Sequence, residues 1–246
     1  AEPRPVSPER SRLQGPGRGD RSGDQVVRCV IGAVARYRGH VSSPQTAPDS
    51  GQSSATNDEF KTMLTWRGED TDRLEQVRLV VSGARLKAYG RIIAAATADH
   101  EAFSASYELQ TTDAGVVKRL TVHLVRTDGE TQFGITRDDE GTWLIRRPDG
   151  ETTRSDFDGA EDVDLALSPM FNALPIRRRA LSASTPGAVE IPVAYMYLPS
   201  GDVKPATMSY TPGTDGFRVV SPLATTTITV DENNFVVDYP GLARRV

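Results

Sequence analysis

Between Leu74 and Arg146, apolar and polar residues alternate almost one for one, and short turn signals break the runs. Successive side chains of a strand point to opposite faces, so a chain patterned this way can bury one face of a sheet and little else. Residues 74–81 read as one such strand and 84–95 as a longer one. In the longer one Leu86, Ala88, Gly90, Ile92 and Ala94 share a face, with Arg85, Lys87, Tyr89 and Arg91 opposite. Phe103, Ala105, Tyr107 and Leu109 repeat the pattern, and Leu120, Val122 and Leu124 alternate with Arg119, Thr121 and His123. Residues 111–115 make a turn, Asp128-Gly129 marks a tight hairpin before Phe133 and Ile135, and Asp139-Glu140-Gly141 and Asp149-Gly150 bracket a short strand at 142–146. Alternation at this spacing predicts an antiparallel meander.

The C-terminal third continues it with one difference. In residues 190–198, Val193, Tyr195 and Tyr197 fall on one face and Ala194, Met196 and Leu198 on the other, so this strand is apolar on both faces and is expected to be covered on both. Shorter runs at 205–210, 216–220, 223–230 and 235–239 bring the total to about a dozen strands in an all-β, mainly antiparallel fold. No repeat at the residue level links the two halves.

Residues 159–181 break the pattern. Val163, Leu165 and Leu167 alternate with Asp162, Asp164 and Ala166, as in a half-buried strand. Ser168-Pro169 reads as an N-cap followed by a first helical residue, where proline lacks only an N–H that would go unpaired. Met170, Phe171 and Leu174 give that turn an apolar face, Pro175 is expected to end it, and a new alternating run is expected from Ile176.

These residues also carry a family resemblance. Asp162-Val163-Asp164-Leu165, Ser168-Pro169, Asn172 and Leu174-Pro175-Ile176-Arg177-Arg178 resemble the signature of the "putative glycolipid-binding" family, formerly a domain of unknown function. Val230-Asp231-Glu232 and Val236-Val237-Asp238-Tyr239-Pro240-Gly241-Leu242 resemble its end motif, and Trp66 and Gly141-Thr142-Trp143 fit as well. The resemblance implies a long, mostly antiparallel sheet rolled in a spiral or open barrel around one short helix, assembled as a homodimer, with a name that rests on likeness to lipid-carrier folds. Met170-Phe171-Asn172-Ala173 departs from the family's more usual Phe-Thr-Asn-Thr by two hydroxyls, and Arg179 stands where the family is usually apolar.

Composition separates a tail from this body. Residues 1–57 are rich in Pro, Gly, Ser and Arg, with eight Arg against five acids; the remaining 21 basic and 28 acidic residues leave the body at −7. A segment of that kind buries too little surface to offset its ordering entropy, so 1–57 is read as a disordered tail and 58–246 as a single β-roll domain. The acidic body argues against nucleic acid as a partner. Residues 26–35 are the tail's one apolar island, and both charge signs with several prolines precede it, unlike a signal peptide. Nothing approaches eighteen consecutive apolar residues, so no transmembrane segment is expected, and the default compartment is cytoplasmic. Cys29, the single cysteine, allows no internal disulfide.

Motifs for chemistry are sparse. His40, His100 and His123 are scattered, no nucleophile elbow or phosphate loop occurs, and the acids at 156–158 form only a fragment of a calcium loop, so neither metal nor cofactor is expected. Asp162 and Asp164 share a strand face with Cα atoms about 6.5–7 Å apart, a spacing open to a hydrolase as well as to inert strands. If the helical turn reverses the chain, these acids meet Arg177, Arg178 and Arg179 and can pair bidentately, closing the rim of the roll or leaving arginines for a headgroup. Trp66, Trp143, Tyr195 and Tyr197 could line an apolar cavity or fill a core. The first reading is a non-enzymatic binding protein for a long amphiphilic ligand such as a glycolipid. Asp162, Asp164, Asn172, Arg177 and Arg178 would lie near its headgroup, and Met170, Phe171, Leu174 and the four aromatics around its chain. The alternative is a structural or protein-binding dimer module with a filled core; a hydrolase built on Asp162 and Asp164 is a third.

Overall fold

The computed structural model describes residues 59–246; the tail, with Cys29 and His40, lies outside them. The first eight strands are β1 (Glu59–Gly68), β2 (Arg73–Ser82), β3 (Arg85–Ala94), β4 (Phe103–Thr111), β5 (Val117–Arg126), β6 (Gly129–Arg137), β7 (Trp143–Arg146) and β8 (Thr152–Ser155). Next come β9 (Asp162–Leu165), a 3-10 turn at Pro169–Asn172 and the helix α1 (Ala173–Arg178). The chain closes with β10 (Val189–Met196), β11 (Val203–Pro212), β12 (Phe217–Val220), β13 (Thr225–Val230), β14 (Val236–Tyr239) and β15 (Ala243–Arg245).

All fifteen strands belong to one sheet. Its order runs from β8 stepwise down to β1, crosses to β15, and then steps down again to β9. Strands β1–β8 and β10–β15 are therefore each a meander, and the pairing of β1 with β15 (Trp66 opposite Arg245) joins the two. Only β9 and β10 run parallel.

The inward residues are those the alternation marks. Val77, Leu79 and Val81 of β2, Leu86, Ala88 and Ile92 of β3, and Leu120, Val122 and Leu124 of β5 share one core with Met170, Phe171 and Leu174 of the helical segment. A second core holds Ile176 of α1 with Ile191, Val193 and Tyr195 of β10, Met208 and Tyr210 of β11, and Ile228 of β13. Strand β10 feeds both, since its Ala194 and Met196 pack into the first, which is why it reads as apolar on both faces. The sheet curls around the helical segment until the chain before β9 meets β5, where the Val117 N–H donates to the Glu161 carbonyl at 2.9 Å. No helix among the described residues is long and apolar enough to cross a membrane.

Four local expectations change. Strand β9 is buried on both faces, because it is the innermost end of the curled sheet. Ser168 makes no capping bond; its hydroxyl goes instead to a buried carboxylate across the core. Pro175 does not end the helix but lies in its first turn, where the missing N–H costs nothing, so α1 runs on to Arg178 and the next strand begins only at Val189. The described residues hold fifteen strands because β1, β8 and β15 join those expected; β8 and β15 are too short and polar to register by alternation, whereas β1 carries Phe60, Leu64 and Trp66 on its inward face.

Candidate functional site

The buried chemistry begins with a charged residue at an inward strand position. In β2 the inward set is Arg73, Glu75, Val77, Leu79 and Val81, so the alternation that buries the valines also buries Glu75, which is 1% exposed. The Tyr107 hydroxyl donates to its Oε1 at 2.6 Å and the Ser168 hydroxyl to the same oxygen at 2.5 Å. The other oxygen, Oε2, is buried with no partner. Burial pushes the Glu75 carboxyl up to about 7, against the pull of Ser168, Tyr107 and the Arg73 charge.

Two residues downstream of the Asp162–Arg178 ion pair, Asp164 lies in a different setting. Arg178 grips Asp162 through Nε (3.1 Å to Oδ1 and 3.2 Å to Oδ2) and Nη2, and also reaches Glu161. Asp164 is 7% exposed and its carboxylate accepts no hydrogen bond from any described residue. Burial first, then the negative charges of Glu75 and Asp162, push it up to about 7. It faces a cavity of about 680 Å³, within the range of small-molecule sites. Asn172, Ser168, Tyr195 and Tyr239 bring polar groups to that cavity, while Leu167, Met208, Leu223 and Leu242 supply apolar wall. Asn172 is held in place by the Tyr210 hydroxyl, which donates to its Oδ1 at 3.0 Å. Burial raises the Tyr239 hydroxyl to about 12 and the Tyr195 hydroxyl well above its ordinary value, and the nearby Asp164 charge adds to both.

Of the residues singled out in the sequence, Asp164, Asn172 and Tyr195 come together at this cavity. Met170, Phe171 and Leu174 are packed solid between helix and sheet, so the space lies beside the helical segment and not around its apolar face. Trp66 and Trp143 are stitches in the core: their indole N–H groups donate to the Val236 carbonyl at 2.9 Å and the Ala160 carbonyl at 3.1 Å. Tyr197 packs on Tyr195, with centroids 4.9 Å apart, and under Lys204. Asp162 is bound to Arg178, and Arg177 donates to the carbonyls of Asn233 (2.6 Å) and Gly83 (3.1 Å) with its guanidinium over Phe235. Apart from Tyr195, none of those residues lines the cavity.

Sequence reasoning missed Glu75, Tyr107, Tyr239 and Met208. Glu75 was signalled by a charge on the inward register of β2, and Tyr107 by an inward glycine, Gly90, directly opposite it in the pairing of β3 with β4.

Comparison with known proteins agrees with this architecture. A crystal structure of a DUF1089 family protein from Pseudomonas aeruginosa is similar at 24% identity and a TM-score of 0.59, over 74% of this chain and 95% of that one. At that identity the likeness speaks for the fold. Comparison with curated proteins gave no match. The model of the family described as "Putative glycolipid-binding" matches residues 63–245, and with Asp162–Arg178 and the closing strands in the places described, the chain belongs to that family.

Proposed function

We propose that the domain is a non-enzymatic binding protein for a long amphiphile of the glycolipid kind. The polar end would sit at Asp164 and the chain would lie along Leu167, Met208, Leu223 and Leu242. One observation carries the reading: a buried carboxylate with no protein hydrogen bond faces a cavity whose other walls are part polar and part apolar. Inside a protein such a group is costly unless something pairs with it, and a ligand hydroxyl or charge would. The family's description points the same way.

Against a hydrolase, the carboxylates around Asp164 are engaged or remote. Arg178 holds Asp162, Tyr107 and Ser168 cover Glu75, and Asp99 stands exposed at the rim. The two-carboxylate arrangement of glycoside hydrolysis needs both groups free to face the scissile bond.

The test is native mass spectrometry of protein isolated without detergent, followed by calorimetric titration with octyl β-glucoside. A bound amphiphile, or saturable binding lost in A224W at the exposed rim of the cavity, supports the reading. A clean protein mass together with no heat of binding overturns it.

A second reading, the dimer module, draws on the outer face of β1–β3. Met63, Tyr89, Ile93 and Leu74 are exposed there, with Leu74 opposite Ile93 across the strand pair. This face and the cavity share no lining residue, so an interface here would leave the cavity open; the rival is the filled-core module that binds no small molecule.

A further inference from the structure

We propose that the ligand of the Asp164 cavity carries a protonated amine, and that this ammonium group pairs with the Asp164 carboxylate between Tyr195 and Tyr239. The inference rests on the reading of the cavity as a binding site and names the chemistry that it selects.

The charges lining the cavity are those of Asp99 and Asp164; no Lys, Arg or His is among its described lining residues. The arginines nearby do not line the cavity, and their guanidinium groups are bonded away from it. Arg178 is held by Asp162 and Glu161, Arg177 by two backbone carbonyls, and Arg73 donates to the Leu242 carbonyl at 2.7 Å. Asp164 therefore has no protein counter-ion, and the charges closest to it, Glu75 and Asp162, have its own sign. A phosphate, sulfate or carboxylate headgroup would enter against this field. A neutral hydroxyl would satisfy a lone pair of Asp164 but leave its charge uncompensated.

An ammonium group does both. It brings three donors and one positive charge. Asp164 takes the charge-assisted bond, and the Asn172 Oδ1, already fixed by Tyr210, has a second lone pair for another donor. Tyr195 and Tyr239 also line the space, and aromatic side chains attract a cation that has left water. The pairing lowers the carboxyl's proton affinity, so Asp164 ionises as the cation arrives. With the apolar wall beside it, the matching ligand class is an amino sugar or other primary amine attached to an alkyl chain.

The experiment compares octyl 2-amino-2-deoxy-β-glucoside with octyl β-glucoside by calorimetry on the full chain at pH 7, and repeats both with D164N. The amine is expected to bind at least tenfold more tightly than the neutral glycoside, and the two are expected to converge in D164N. Equal affinities in the unmodified protein overturn the amine inference and leave the binding reading standing. No binding of either glycoside overturns both. A preference that persists in D164N removes Asp164 from the site. The comparison of the two glycosides on the unmodified protein needs no variant, so poor folding of D164N would not blunt it.

Discussion

The Tyr107 ring crosses Gly90, its register partner on the neighbouring strand, and so carries its hydroxyl over β3 to Glu75 on β2. A Cβ at position 90 would overlap the ring and the hydroxyl together. The glycine thus serves the tyrosine's reach, a packing of aromatic over glycine known to strengthen sheets. G90A is expected to cost about 1–3 kcal/mol from overpacking and further stability from the lost bond to a carboxylate. Urea unfolding would measure it. The same substitution in a Y107L background should cost clearly less; an equal cost would show that the ring is not what position 90 accommodates.

Glu75 and Asp164 make stability depend on pH. Both carboxyls are raised in the folded protein, from 4.5 and 3.8 to about 7. Between those values the folded state holds more protons than the unfolded one, so stability falls as pH rises through the window. The slope is at most about 1.4 kcal/mol per pH unit for a group titrating alone. Because each charge raises the other's proton affinity, the two leave in coupled steps. The charged and titratable groups facing them are Arg73, Tyr107, Asp162, Tyr195, Tyr210 and Tyr239. The gain of D164N over the unmodified protein in urea midpoint is expected to be absent below pH 3.8, to grow between there and pH 7, and to be full at pH 8, where the variant removes an uncompensated buried charge. Coincident midpoints at pH 8 would contradict the raised carboxyl.

The outer face of β1–β3 offers a separate test. Tyr89 and Ile93 are 39% and 53% exposed, beside Met63 and Leu74, on a face otherwise polar. If a second copy covers this patch, I93E should shift the protein from dimer to monomer in light scattering while leaving the melting temperature of the monomer intact. A monomer in the unmodified protein at high concentration would end the dimer reading.

The meander was legible because one face of each strand is wet, which writes the period directly into residues such as Leu86 to Ala94. Strands β8 and β15 were not, since they are short and polar; β1 does write the period, with Phe60, Leu64 and Trp66 on its inward face and β2 paired along its length, and was passed over. Pro175 misled for a local reason: the rule that proline stops a helix applies beyond the first turn, and the preceding 3-10 turn hides where the α-helix begins. The site was half legible. Asp164 and Asn172 stood out in the motif, but their roles depend on partners far along the chain: Ser168 bonds Glu75 across 93 residues and Asn172 meets Tyr210 across 38. The Asp162–Arg178 pair was expected from a chain reversal over a short segment, and it forms; the same reasoning could not tell that Asp164, on the same short strand, would be left without an arginine.

That asymmetry within one strand gives a last prediction. The Asp162 side chain is fully buried and its hydrogen bonds come from Arg178, whereas Arg178 also holds Glu161, which is 36% exposed. R178M would leave a buried carboxylate with no counter-ion, at a cost of about 3–5 kcal/mol. D162N would leave Arg178 paired with Glu161 and still able to donate to an amide oxygen, so its cost should be nearer about 1–3 kcal/mol. The double variant D162N/R178M should be more stable than R178M alone, because the orphaned charge is gone. Denaturant unfolding of the four proteins closes the cycle. Equal losses for the two single variants would mean that Asp162 shares its charge with a group other than Arg178, and the ion pair would no longer explain how the innermost strand is held against the helix.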